Sequence, residues 1–216
     1  TASDNTAVGR NSLIANTTGG SNVAVGSQAL DANTTGGTNT AIGAAAMSAS
    51  TTGSSNTSLG FNSLASNTTA SNNTAIGTSV LLTNTTGYDN TGIGFQALYY
   101  NTDGYDNTAL GVNALFNNTT GELNTAVGRS ALENNTTADS NNAFGRRALY
   151  TNTTGAQNSA FGYLALLSNT TASYNTAFGT SSMQANTTGI QNVAVGYAAL
   201  DANTTAANNT AVGNEA

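Results

Sequence analysis

Few side chains in this chain can do chemistry. The 216 residues include no His, no Cys and no Lys. The usual general base near neutral pH and the thiol nucleophile are therefore both missing. Ten acidic residues and four arginines remain as the charged groups. Paired carboxylates can hydrolyse a glycosidic bond, but these are scattered, and none recurs in a cleft-like arrangement. Asp89 and Asp106 come nearest to a pair, each set between a Tyr and an Asn. Two carboxylates are too few for Ca²⁺, which takes roughly six to eight oxygen ligands. The expectation is a protein that is not an enzyme, with no catalytic residue, metal or cofactor.

Three other sets of residues could engage other molecules. Asn-Thr-Thr triplets begin at Asn16, Asn33, Asn67, Asn84, Asn118, Asn135, Asn152, Asn169, Asn186 and Asn203. Each is an N-glycosylation sequon, and a suitable transferase would set a row of glycans along one edge. Turn chemistry explains the same triplets without any glycan. The second set is a contact patch of Tyr88, Asp89, Tyr99, Tyr100, Tyr105 and Asp106, suited to a sugar, to lateral packing or simply to water. The third is the basic cluster of Arg129, Arg146 and Arg147. It suits an anion, a carboxylate of a neighbouring chain or, more plainly, an exposed salt bridge.

Composition narrows the class. Charged residues make up 6% of the chain, against about 25% in an ordinary globular domain. Gly, Asn, Thr, Ser and Ala dominate. The 38% apolar content and modest charge do not fit a disordered chain. The net charge of −6 argues against nucleic acid and anionic membranes as partners. No run approaches the roughly 18 apolar residues of a membrane-spanning helix, so membrane insertion is not expected. Without Cys there are no disulfides and no thiolate metal sites.

The deciding feature is a strict repeat. Gly9, Gly26, Gly43, Gly60, Gly77 and Gly94 open a series that continues to Gly213, thirteen glycines spaced by 17 without exception. Four residues before each stands an Asn: Asn5, Asn22, Asn39, Asn56, Asn73, Asn90 and so on to Asn209. A bulky apolar residue such as Val8, Ile42, Leu110 or Phe144 precedes each Gly, with a small residue before it. Leu or Met follows four residues later, as at Leu13 and Met47, and then the Asn-Thr-Thr triplet. Twelve full units fill the chain.

A solenoid accounts for such spacing, with each unit forming one coil stacked on the next. An inserted residue would turn side chains to the wrong face. A helical repeat fails, because Asn, Thr, Gly and Ser recur too often and the apolar spacing is wrong. The expected fold is all-β: a parallel β-solenoid, or β-roll, of 12 coils, with one 17-residue unit per coil. Residues 6–9 and 11–15 read as two short strands in the first coil, and the triplet as a turn. The Gly reads as a corner that needs positive φ or excludes a Cβ. The recurrent Asn reads as a ladder whose side-chain amides bond from coil to coil.

The expected core is thin: one Val-class residue, one Leu and two small residues per coil. Phe144, Phe161 and Phe178 read as a stack within it. Burying the two large residues contributes ~1.5–3 kcal/mol each, against ~1–2 kcal/mol for each backbone ordered. Lateral association of several chains is therefore expected. The Ala-type and Val-type positions face opposite ways along a strand, so one can line the coil and the other meet a partner. Neither end of the sequence reads as a cap. Residues 1–216 are expected to be one repetitive domain of a longer fibre, its copies also able to stack end to end.

Asn22-Val23-Ala24-Val25-Gly26 and Asn192-Val193-Ala194-Val195-Gly196 resemble the head repeat of trimeric autotransporter adhesins. The whole unit resembles shaft repeats of bacteriophage tail fibres and bacterial surface fibres. The resemblance implies a left-handed parallel β-roll in a trimeric surface fibre, adhesive or spacing in role. It also implies an extracellular, cell-surface or virion-surface location and a host glycan or protein as contact. The adhesin repeat is shorter than the unit found here, and no family binding residue carries over. A self-polymerising filament shares this fold. The alternative function is an ice-binding β-solenoid, suggested by the rows Thr17, Thr34, Thr51, Thr68 and Thr18, Thr35, Thr52, Thr69.

Overall fold

The computed structural model describes residues 2–216. It is a parallel β-solenoid with one three-residue strand per 17-residue turn and no helix among the described residues. The strands are β1 (Thr6–Val8), β2 (Val23–Val25), β3 (Thr40–Ile42), β4 (Thr57–Leu59), β5 (Thr74–Ile76), β6 (Thr91–Ile93), β7 (Thr108–Leu110), β8 (Thr125–Val127), β9 (Asn142–Phe144), β10 (Ser159–Phe161), β11 (Thr176–Phe178), β12 (Val193–Val195) and β13 (Thr210–Val212). The chain divides into two compact units, Thr1–Asn107 and Thr108–Ala216. In the first, β1 to β6 lie side by side in chain order, each parallel to the next. In the second, β7 to β13 do the same. Equivalent residues pair throughout, as Ala24 with Ala41 and Val25 with Ile42.

Strand alternation decides what is inside. The middle residue of each strand points into the coil, so Ala24, Ala41, Ala75, Ala109, Ala126 and Ala160 are fully buried. Its two neighbours point outward. The interior is completed by a Leu or Met column, Leu30 to Met183, and by the residue before it, which is Ala or Ser in every coil but one, where Val80 is fully buried. The Val-class residues are therefore not part of the core, contrary to expectation. Phe144, Phe161 and Phe178 do stack, but on the outside: Phe178 is 57% exposed.

The corner glycines meet both requirements. Their φ lies between 127° and 147°, a region that side chains rarely adopt. A Cβ on Gly128 would also stand 2.7 Å from the Gly145 carbonyl. The second expected strand does not form. Residues 11 and 13 sit in the left-handed region, with φ of 60° and 50°, and their equivalents follow suit in later coils. A third left-handed residue precedes each ladder Asn, as at Thr38. Left-handed backbone costs L-residues ~1–2 kcal/mol each, but here it re-aims amides along the stacking direction. Gln28 N–H donates to Arg10 O at 2.9 Å, Leu30 N–H to Ala46 O at 3.0 Å and Thr38 N–H to Gly20 O at 2.9 Å. The irregular part of the coil is thus bonded to its neighbours as firmly as the strand.

Candidate functional site

Two stacks of Asn run inside the coils. In the predicted one, each Oδ1 accepts the backbone N–H of the next coil's Asn, as Asn5 Oδ1 from Asn22 at 2.8 Å and Asn22 Oδ1 from Asn39 at 2.9 Å. Each Nδ2 crosses the coil to a carbonyl, as Asn22 to Gly36 O at 2.9 Å. Direct amide–amide bonds join some rungs, such as Asn56 to Asn39 at 3.2 Å. The second stack is formed by the triplet Asn residues. Here amide bonds amide directly: Asn101 to Asn84 at 2.8 Å, Asn152 to Asn135 at 3.0 Å, Asn169 to Asn152 at 2.8 Å. The same Nδ2 also bonds the carbonyl three residues on, as Asn152 to Gly155 O at 2.9 Å. This stack lies outside the sequence expectations, although its signal is recurrence at the same 17-residue interval, broken at Ser50.

The stack fixes where the sequon amides lie. Asn33, Asn67, Asn84, Asn118, Asn135, Asn152, Asn169 and Asn186 are fully buried, with Nδ2 committed to internal bonds. A glycan there would have to replace those bonds and open the coil. Asn16 and Asn203 are half-buried. The second triplet residue ties its hydroxyl to the next coil, as Thr17 Oγ1 to Thr34 O at 2.8 Å and Thr153 Oγ1 to Thr170 O at 3.1 Å. The third triplet residue is exposed, and is Thr in eleven of twelve coils. The exception is Asp103. It accepts hydroxyl bonds from Thr86, from Thr102 at 3.1 Å and from Thr85 at 3.4 Å. These bonds, Thr86 first, hold its carboxyl below the usual range against a small opposing effect of burial.

The outward strand face carries a column of apolar residues. Its third residue is exposed at Val8, Ile42, Leu59 and Ile93 in the first unit, and at Phe144, Phe178, Val195 and Val212 in the second. Phe144 stacks on Phe161 with centroids 4.8 Å apart and rings 6° from parallel. The residue after the corner Gly widens the band, with Phe61, Phe95, Val112, Tyr163 and Tyr197 all exposed. Exposed apolar patches rimmed by polar residues mark interaction surfaces.

The structure brings Tyr88 and Tyr105 together as a stacked pair, centroids 4.9 Å apart and rings 4° from parallel. Each thereby covers one face of the other. Tyr99 and Tyr100 meet edge to face at 4.6 Å. Asp89 and Asp106 lie in the left-handed position before the ladder Asn. Among the described residues no group of three or more acidic side chains is placed to hold a metal ion. The Arg146 guanidinium lies over the Tyr163 ring at 5.8 Å, and that of Arg147 over Tyr150 at 5.2 Å.

Comparison adds no relative. No protein-family model, curated protein or solved structure matches the chain.

Proposed function

We propose that the chain is a non-enzymatic structural repeat, a shaft of an extracellular or virion-surface fibre that packs laterally against copies of itself. The observation that carries this reading is the apolar column on the outer strand face. A coil that keeps its Ala, Leu and Asn inside and turns Val, Ile, Leu and Phe outward has a second apolar surface to bury. Burial of such surface contributes about 25 cal/mol per Å², and the column supplies it in every coil. The resemblance to adhesin heads and tail-fibre shafts points the same way, toward a trimer and a spacing or adhesive role. Electron microscopy with mass photometry tests the proposal. Discrete rods of three-chain mass, or longer filaments, support it. A species of single-chain mass at micromolar concentration overturns it.

The exposed column of third-triplet threonines favours a second reading, an ice-binding surface. The second triplet hydroxyls, tied to the next coil, are not available to it. Absence of thermal hysteresis discards this reading.

A further inference from the structure

A lateral fibre built from near-identical coils has a problem of register. Apolar columns of this kind pack almost equally well after a slip of one coil, or of several. Register must come from whatever departs from the repeat. The charged residues are among those departures, and eight of the fourteen fall on the two flanks of the strand, Asp89 and Asp106 among them in coils without an arginine.

Each strand has two flanks. On one side stand the two residues that precede the ladder Asn, and on the other the residue after the corner Gly. Three of the four arginines occupy the second flank: Arg10, Arg129 and Arg146. No acidic residue occurs at that position in any coil, and no basic residue occurs on the first flank. In each of the three coils the opposite flank carries an acid, namely Asp4 for Arg10, Glu122 for Arg129 and Asp139 for Arg146. The three arginines and Asp4 are exposed, and Glu122 and Asp139 half-buried. Acid and base are separated along the chain by a full strand and the corner, so they stand at opposite ends of it. They are six or seven residues apart in sequence. At a coil spacing of ~4.8 Å this is about 2 Å of height along the stacking direction.

We infer that Arg10, Arg129 and Arg146 pair with Asp4, Glu122 and Asp139 of a neighbouring copy of this chain, setting the copies parallel and in register. The inference rests on the lateral packing proposed above and names its geometry. When two copies face each other with strand faces inward and axes parallel, the Gly-side flank of one meets the Asn-side flank of the other at the same height. Opposite charges then meet. In the antiparallel arrangement each flank meets its own kind, arginine against arginine and acid against acid. A one-coil slip toward the C-terminus leaves Arg129 opposite Asp139. It sets Arg10 against Gly20 and Ser21, and Arg146 against Ala156 and Gln157. A one-coil slip toward the N-terminus keeps two, Arg129 opposite Asp106 and Arg146 opposite Glu122, and leaves Arg10 without an acid. Only zero slip keeps all three pairs. Arg146 is braced on Tyr163, which limits the rotamer freedom lost on pairing. Arg147 leans on Tyr150 and is not part of the set.

The chain has no cysteine, so a thiol linker can read the geometry without disturbing a charge. Tyr174 and Thr180 occupy the two flanks in a neutral stretch, and both are exposed. The mass of each variant is measured first. With Tyr174→Cys and Thr180→Cys together, a short bifunctional thiol reagent should join chains to one another. With Tyr174→Cys and Val112→Cys, four coils out of register, it should not. Thr180→Cys alone should not link either. Adding Arg129→Glu and Arg146→Glu should weaken association roughly tenfold or more through like-charge contact. Further adding Glu122→Arg should recover part of that loss. Efficient linking of Thr180→Cys to itself, equal linking by the Val112 variant, or charge reversal without effect would each overturn the inference while lateral association stood. A single-chain mass throughout would remove the lateral reading and the inference with it.

Discussion

Ser50 interrupts the stack of triplet Asn residues, and replacing it should make the protein more stable. Ser50 is fully buried between the Asn33 and Asn67 rungs. Its hydroxyl has no partner, and neither has Asn33 Oδ1, which would accept from an amide at position 50. Elsewhere that geometry is regular: Asn101 Nδ2 reaches Asn84 Oδ1 at 2.8 Å and Gly104 O at 2.9 Å. Ser50→Asn should recreate it, bonding Asn33 and the Gly53 carbonyl and accepting from Asn67. An orphaned buried polar atom costs about 1–3 kcal/mol, and each bond gained returns about 0.5–1.5 kcal/mol net. Ordering the longer side chain opposes this by up to about 1 kcal/mol. The balance is about 2 kcal/mol of stabilisation. Solenoids open locally, so native-state hydrogen exchange is the right assay. Amides of Asn33, Thr34 and Asn67 should exchange about thirtyfold more slowly, the equivalent of that free energy. Asn135→Ser, which makes the same interruption in the second unit, should accelerate exchange around it by a similar factor. Unchanged protection in Ser50→Asn would mean that an ordered water already satisfies the two orphans, and the reasoning fails.

Three further outcomes are expected. Gly128→Ala should destabilise by more than about 2 kcal/mol, since it combines a left-handed φ with a backbone clash. A Cβ at Gly20 meets Ser3 O at 3.3 Å and Ser3 Oγ at 3.8 Å, so Gly20→Ala should cost clearly less than Gly128→Ala in the same urea titration. Asp103 should make stability weakly pH-dependent. Its folded pKa is lowered, so its contribution is complete above the ordinary aspartate range and disappears as pH falls through the folded value. The difference in melting temperature between the parent and Asp103→Asn should therefore shrink toward zero in acid. Finally, glycopeptide mapping of protein secreted from a glycosylating host should find no Asn-Thr-Thr sequon occupied other than Asn16 and Asn203, the half-buried members of that row.

The period, the corner and the first Asn ladder were legible because each leaves an invariant residue type at a fixed interval. Nothing but Gly fits beside the next coil's carbonyl, and nothing but Asn both accepts from the next N–H and spans the coil. The outward turn of Val25 and Phe144 followed from strand alternation, yet their size argued for the core. The coil is narrow enough that Leu30 and Ala24 already fill it. The left-handed backbone at Leu13 and Leu30 had no legible signal, because Leu is a poor residue for that conformation. It is held there by an amide bond to the next coil that sequence patterns do not record. Chain direction and register in an assembly rest on a handful of charges that the repeat itself treats as noise.

The uniform rung has a consequence for how such a protein changes over time. Away from the charged rungs and Ser50, each coil offers its neighbours above and below nearly the same bonding groups. Removing one whole coil, or copying one in, therefore rejoins equivalent surfaces. Losing a single residue misaligns everything after it. Length becomes a matter of copy number in the gene, open to unequal recombination. The thirteen glycines at one unbroken interval fit a chain that tolerates whole coils and no fraction of one.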